Sequence, residues 1–333
     1  MGSLRKKPNQ QKLIVWGDIQ FHPWQENERP DRWKELVNII PQVYQEAYLR
    51  GADRIIFLGD LFEDKRKLRT DIVAHVFTTF MRCAEQYKIP HHLLTGNHDS
   101  WNGSSILTPL DCAQYLDVVD SPQHINKRLA LVPYGKKPPS AWSYTALFTH
   151  AEITGGNLGH GIMSISSTLP DELLLKKGNR TICFNGHYHH PQTIKLSQDH
   201  IPVICVGTPA ELNWSDADSE IARGIVYVEV AEKQVHYERI PLNFPRFFNS
   251  PSSKAKKNDF VRNLEEQKRE AQTRTHTNYD IIGGSEITQA IQGYVEEKQK
   301  STRQGTLTEL GIHLYNNRYK KGRKEKLAME HET

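Results

Sequence analysis

A chain of 333 residues is long enough for one large α/β domain with an extension, or for two domains. Its 37% hydrophobic and 25% charged residues are ordinary for a soluble protein, and no stretch approaches the roughly 18 apolar residues of a membrane-spanning helix. The formal net charge of +4 says little about partners, although the last third of the chain is visibly basic. Cys83, Cys112, Cys183 and Cys205 form no CxxC pair and read as buried free thiols of a reducing compartment. Residues 1–11 are polar and basic, unlike a signal peptide, so a cytoplasmic protein is expected, nucleoid-associated or in a host cytoplasm if viral.

In chain order, short apolar runs at 12–16, 54–58, 91–94, 144–148, 181–184 and 202–206 have strand length and strand composition. Between the early runs lie helical patterns. Trp33, Leu36, Ile39, Ile40, Val43 and Ala47 predict a helix over 32–49, and Ile72, Val76, Phe80 and Ala84 predict one over 71–87. Strand, helix, strand, helix, strand reads as βαβ units. From about residue 127 the strands come closer together, which predicts a second sheet packed on the first. Pro241, Pro245 and Pro251 precede a lysine-rich stretch, so the large domain is expected to span 1–245. A charged connector over 246–282 follows. Ile287 and Ile291, then Leu307, Leu310 and Leu314, form two apolar stripes of a small helical hairpin in 283–333, ahead of a basic tail.

Each of five strands runs into a polar cluster. The first is followed by Gly17-Asp18-Ile19-Gln20-Phe21-His22, the second by Gly59-Asp60 and the third by Gly96-Asn97-His98-Asp99. The fourth is followed by His150 and the fifth by Gly186-His187-Tyr188-His189. One such ending is an ordinary turn. Five in order point to the crevice that forms at strand C-termini in open α/β sheets. Carboxylate, amide and imidazole suit manganese, iron or zinc better than a soft ion. A period-two pair such as His187 and His189 points both rings to one side of an extended segment. Asp60, at a central strand end, suits a bridging role between two ions about 3.5–4 Å apart, an arrangement that clamps a phosphoryl group. His98 is placed to face the phosphate, stabilising the oxyanion or protonating the leaving oxygen. Asp99 either orients His98 or caps the turn.

The order GD, GD, GNHD, H, GHxH resembles the signature of the calcineurin-like metallophosphoesterases and covers about residues 12–190. The resemblance implies a four-layer α/β/β/α sandwich. It assigns one ion to Asp18, Gln20, Asp60 and His189, and a second to Asp60, Asn97, His150 and His187. The first motif departs from the usual DxH, because Gln20 stands at the histidine position. Gln20 can ligate through its amide oxygen, a weaker ligand than imidazole. His22 substitutes only if the loop bends.

A finer similarity is to SbcD-like recombination nucleases, above all the shorter phage subunits. It rests on Gly59-Asp60-Leu61-Phe62-Glu63, Leu131-Val132-Pro133-Tyr134, His150-Ala151-Glu152-Ile153, and Val206-Gly207-Thr208-Pro209 with the later Arg223-Gly224. It implies a manganese-dependent DNA exonuclease and endonuclease of recombination and repair, with iron, zinc or magnesium as other metals. It also implies an SMC-like ATPase docked on the C-terminal hairpin, and leaves a homodimer open. Lys65 and Arg66, with Lys67, Arg69, Lys136 and Lys137, are candidate phosphate contacts. Trp101 and Trp24 are candidates for stacking on a base. The alternative reading is a phosphatase or phosphodiesterase for phosphoproteins or small molecules. The segment after residue 245 argues against that, since a small substrate does not require it.

Overall fold

The structure is a computed structural model that describes residues 10–22, 32–137, 139, 143–159, 162–174, 181–212, 216, 221–232, 234–248, 255–256 and 259–261. Trp24 and the expected hairpin in 283–333 lie outside these residues, as does most of the expected connector. The first half contains β1 (Gln11–Trp16), α1 (Arg32–Val37), α2 (Ile39–Leu49), β2 (Arg54–Phe57), α3 (Thr70–Tyr87) and β3 (His91–Leu94). A small hairpin of β4 (Ser100–Trp101) and β5 (Ser104–Ser105) then leads to β6 (Leu116–Val119), β7 (Gln123–Asn126), β8 (Leu129–Val132) and β9 (Ala146–Thr149). Next come a second hairpin, β10 (Asn157–Gly159) and β11 (Ile162–Met163), the short α4 (Asp171–Leu174), β12 (Ile182–Asn185), β13 (Gln192–Ile194) and β14 (Val203–Cys205). The last strands are β15 (Gly224–Val230), β16 (Val235–Pro241), β17 (Phe247–Phe248) and β18 (Phe260–Val261).

Two six-stranded sheets result. The first has the order β16-β15-β1-β2-β3-β6, and the second β13-β14-β12-β9-β8-β7. Each is built on four parallel strands: β1, β2, β3 and β6 in one, and β8, β9, β12 and β14 in the other. Such strands are covered on both faces, which is why their sequences are nearly continuous apolar runs. The period of two decides which layer each residue meets. In β1, Leu13 and Val15 face the second sheet and pack with Ile56, Phe148 and Phe184. Ile14 and Trp16 face the helices and pack with Ile40, Tyr44 and Phe80. The outer face of the second sheet is covered, among the described residues, by Leu169, Leu173 and Leu174 around α4. Helices, sheet, sheet and a thin outer cover form the expected sandwich, whose second sheet begins close to where the strand spacing tightens.

The helix expected over 32–49 is broken into two. Pro41 sits in the first turn of α2, where it cannot donate to the Val37 carbonyl and its ring crowds that group. Asn38 closes α1 by donating its N–H to the Glu35 carbonyl at 3.0 Å. The compact unit runs to Asn263, past the expected edge at 245. There, β17 pairs with β18, and the buried Arg32 guanidinium lies 4.5, 5.2 and 5.1 Å from the rings of Phe244, Phe247 and Phe260. Three aromatics around one buried cation hold the exit segment to the start of α1. Cys83, Cys183 and Cys205 are buried thiols, but Cys112 is exposed at the end of a short 3₁₀ turn.

Phe184 sits between the sheets, stacked on Phe148 at 5.4 Å and 13° and fully buried. Phe184→Ala is expected to lower unfolding stability by about 3–5 kcal/mol in a urea titration.

Candidate metal centre

The two loops that follow β1 and β2 stay in register after the strands end. Leu58 N–H donates to the Trp16 carbonyl at 2.7 Å, Asp18 to Gly59 at 2.9 Å, Gln20 to Asp60 at 3.1 Å and Phe21 to Leu61 at 2.8 Å. To do so while turning their side chains into the crevice, the chain adopts left-handed backbone at Asp18 (φ 53°), Gln20 (φ 47°) and Asp60 (φ 59°). His187 does the same at φ 72°. Non-glycine residues avoid this region, and clustered exceptions mark functional sites. His187 is therefore not on an extended segment, as its spacing with His189 predicted. Its N–H turns instead toward Asp18 Oδ1, 2.8 Å away. Gly59, at φ +109°, lies so close that a Cβ there would be 2.8 Å from both Gly96 Cα and His150 Nδ1. The glycine of the second motif is thus required by close approach as well as by backbone angle.

Four predicted ligands meet at one point. Asn97 Oδ1 is 2.9 Å from His150 Nε2 and 3.1 Å from His187 Nδ1, and Asp60 Oδ2 is 3.4 Å from His150 Nε2. Ligand atoms of Asp60, His150 and His187 all lie within 4.8 Å of one another. His150 donates Nδ1–H to the Leu58 carbonyl at 2.9 Å, which leaves Nε2 directed into the cluster. Asp18 adjoins through the His187 amide, and its Oδ2 is buried without a hydrogen-bond partner. Gln20 is buried beside Asp60, and His189 lies within the field of the Asp60 carboxylate. His22 acts on the Glu63 carboxylate. An orphaned buried carboxylate oxygen next to convergent oxygen and imidazole donors fits hard or borderline divalent cations.

Asp99 does not orient His98. Its carboxylate accepts from the backbone N–H groups of Asp60 (2.6 Å), Leu61 (2.9 Å) and Gly96 (3.0 Å), so it binds the second-motif loop to the third. His98 is held by its N–H to Asp60 Oδ1 at 2.9 Å and by its ring Nδ1–H to the Glu63 carbonyl. Lys65 reaches the site, donating to the Asn97 carbonyl at 2.7 Å. Arg66 is exposed beside Asp64, and Arg69 is engaged by Asp71. Trp101 is exposed on the β4–β5 hairpin just beyond Asp99. Two supporting residues had no signal as site residues. Arg223 donates to the His189 carbonyl and pairs with Asp216 at 2.8 Å, and the Tyr134 ring packs on His150 and His187. The Leu131–Tyr134 and Arg223-Gly224 segments that contain them carry the finer family similarity, but nothing in that similarity marks these two side chains as part of the site.

Burial raises the Asp18 carboxyl to about 8, only partly opposed by His150. Burial also raises Asp60, but the charge of His150 and hydrogen bonds from His150 and His98 outweigh it and hold that carboxyl at about 2. His150 is held at about 9 because Asp60, Asp18 and Asp99 outweigh the desolvation that lowers it. Burial and the neighbouring His150 charge lower His187 to about 4. The buried carboxylates therefore concentrate negative charge that protons on Asp18 and His150 offset, and a divalent cation would take the place of those protons.

A two-sheet sandwich with these donors at its strand ends defines a metallophosphoesterase, a hydrolase. The calcineurin-like phosphoesterase profile matches residues 11–216, and the chain belongs to that family. Among solved structures it is similar to a dimetal phosphatase from Danio rerio, at 10% identity over 69% of this chain and 95% of that one, with TM-score 0.45. It is also similar to the phosphoesterase Yfce from E. coli, at 14% identity over 66% of this chain and 88% of that one, TM-score 0.33. A third is the nuclease MPE from Pseudomonas putida, at 13% identity over 58% of this chain and 72% of that one, TM-score 0.31. No curated protein matches the chain by sequence. Among the described residues, no helix is long and apolar enough to cross a membrane.

Asp18 and His150 are both shifted toward tighter proton binding in the folded state, so stability is lost as pH rises from 7 to 9. The thermal midpoint of chelator-treated protein is expected to fall across that interval in differential scanning calorimetry. Saturating Mn²⁺, which binds the deprotonated ligands, is expected to remove or invert the slope.

Proposed function

We propose that the chain is a DNA nuclease, a two-metal phosphodiesterase that uses Mn²⁺ and acts in recombination and repair with an SMC-like ATPase. One ion would be held by Asp18, Gln20, Asp60 and His189, and the other by Asp60, Asn97, His150 and His187. Bound there, the ions supply Lewis-acid charge and an activated water at neutral pH. The chain's residues do the rest. The Glu63 carbonyl takes the His98 Nδ1–H, so the ring acts as a general acid in its doubly protonated form, giving the Nε2 proton to the departing sugar oxygen and keeping the Nδ1 proton. Lys65, fixed on the Asn97 carbonyl, keeps further N–H groups for a phosphate oxygen, and Arg66 extends this basic edge.

The observation that favours nucleic acid over a small phosphoester is Trp101. It is 45% exposed on a hairpin that leaves the metal centre directly after Asp99, the residue that ties the metal loops together. An exposed indole two residues beyond Asp99 suits stacking on a base, worth about 1–3 kcal/mol. On the same reading, the apolar positions Ile287, Ile291, Leu307, Leu310 and Leu314 dock on the ATPase as a helix-in-groove contact.

End-labelled duplex and single-stranded DNA incubated with Mn²⁺ are expected to be cleaved. A chain that hydrolyses a phosphomonoester but no DNA would instead be a phosphatase. His98→Ala is expected to slow cleavage at least about 100-fold while Mn²⁺ affinity stays within about twofold; near-normal cleavage by this variant removes His98 from the chemistry. Trp101→Ala is expected to raise KM for oligonucleotides about tenfold and to leave hydrolysis of bis(4-nitrophenyl) phosphate unchanged. Equal effects on both substrates would rule out a base contact.

A further inference from the structure

Tyr134 stands at the seam between the two sheets. It follows β8, and its N–H donates at 3.0 Å to the carbonyl of Thr95, at the end of the strand that leads to Asn97. The Tyr134 ring lies 5.9 Å from the His150 ring at 74° and 6.2 Å from the His187 ring at 30°, and those imidazoles are 5.3 Å apart at 76°. The three rings thus form a box on one wall of the candidate metal centre. The phenol is half-buried and close enough to Asp60 and Glu152 to feel both charges. Among the described residues it takes part in no hydrogen bond.

A phenylalanine would pack this box equally well. A tyrosine adds one directional donor where the surrounding side chains are carboxylates, an amide oxygen and imidazoles already committed to one another. The sign of charge also matters. A lysine or arginine at this point would pair with Asp60 and compete with a metal ion, whereas a neutral O–H can hold an anion without that competition.

We infer that Tyr134 is a substrate-contacting residue: its phenol O–H donates a hydrogen bond to a non-bridging oxygen of a phosphate bound at the metal centre that Asp60, Asn97, His150 and His187 would form, and its ring fixes the angle between the two imidazoles. This rests on the reading of the site as a phosphoester-binding metal centre.

Two variants separate the parts. Tyr134→Phe removes the donor and keeps the box, and Tyr134→Leu removes both. Inorganic phosphate titrated calorimetrically into the Mn²⁺-loaded full chain is expected to bind Tyr134→Phe about tenfold more weakly than wild type. Mn²⁺ titrated into the chelator-treated chain is expected to bind wild type and Tyr134→Phe alike, and Tyr134→Leu about tenfold more weakly. Cleavage of DNA by Tyr134→Phe should fall by a similar factor. Wild-type phosphate affinity in Tyr134→Phe overturns the contact, and unchanged Mn²⁺ affinity in Tyr134→Leu overturns the positioning by the ring. The nuclease reading fails separately, if the wild-type chain binds phosphate yet cleaves no DNA; the two titrations then still decide the role of Tyr134.

Discussion

The Asp99 carboxylate is the contact on which the site depends. It is fully buried and accepts three backbone N–H groups, two from the loop after β2 and one from the loop after β3. Parallel strands do not by themselves dictate how their following loops meet. Asp99 does so here, because an ionised acceptor with three backbone donors has one arrangement that satisfies them all. Asp60 is thereby held at a strained φ of 59°, with Oδ1 committed to the His98 amide and Oδ2 facing His150. The same carboxylate contributes negative charge, and burial with the nearby Asp60 raises its own titration to about 6. The residue that builds the centre is therefore also part of the charge the centre must balance.

Much of this was legible in the sequence because periodicity and motif order are local properties. Six core strands were found within a residue or two, since doubly covered parallel strands are apolar throughout, while β6, β8 and β15 were not among the six runs. Asp60, Asn97, His150 and His187 were recognisable because each follows such a strand, and the structure brings those four together. What was missed depends on backbone groups. That Asp99 serves amides and not the His98 ring cannot be read from their adjacency. The Glu63 carbonyl that holds His98 carries no side-chain signal at all. The break at Asn38 was available in principle, because Pro41 sits inside the helical pattern, but the apolar spacing runs straight through it.

The exit of the chain from the sandwich follows the same physics. Proline density suggested an end at 245, yet Phe247 and Phe260 bury their rings against each other and against Arg32. Glu211 reinforces this point. It is buried, takes Arg246 at 3.0 Å and receives the Phe247 N–H, while its carbonyl accepts from Arg32 at 2.7 Å. Composition marks where a chain becomes polar, but long-range partners decide where a domain ends.

These contacts also bear on how the two proposed ion positions differ. The second is held together before any ion is considered, through Asn97 Oδ1 between two imidazoles and the Leu58 carbonyl behind His150. The first is arranged less directly. Asp18 is anchored by one oxygen to the His187 amide, and its other oxygen is unpaired. Among the described residues, no hydrogen bond joins the His189 ring or the Gln20 amide group to the cluster. His189 is placed through its backbone carbonyl, by Thr208 N–H at 3.0 Å and by Arg223. In the proposed assignment, a neutral amide oxygen in place of an imidazole, on a ligand set positioned through the main chain, would give a weaker and more exchangeable position than its neighbour. Gln20 and the looser geometry point the same way: in the proposed assignment the asymmetry would belong to the whole first site, and a histidine at position 20 would change only one of its causes.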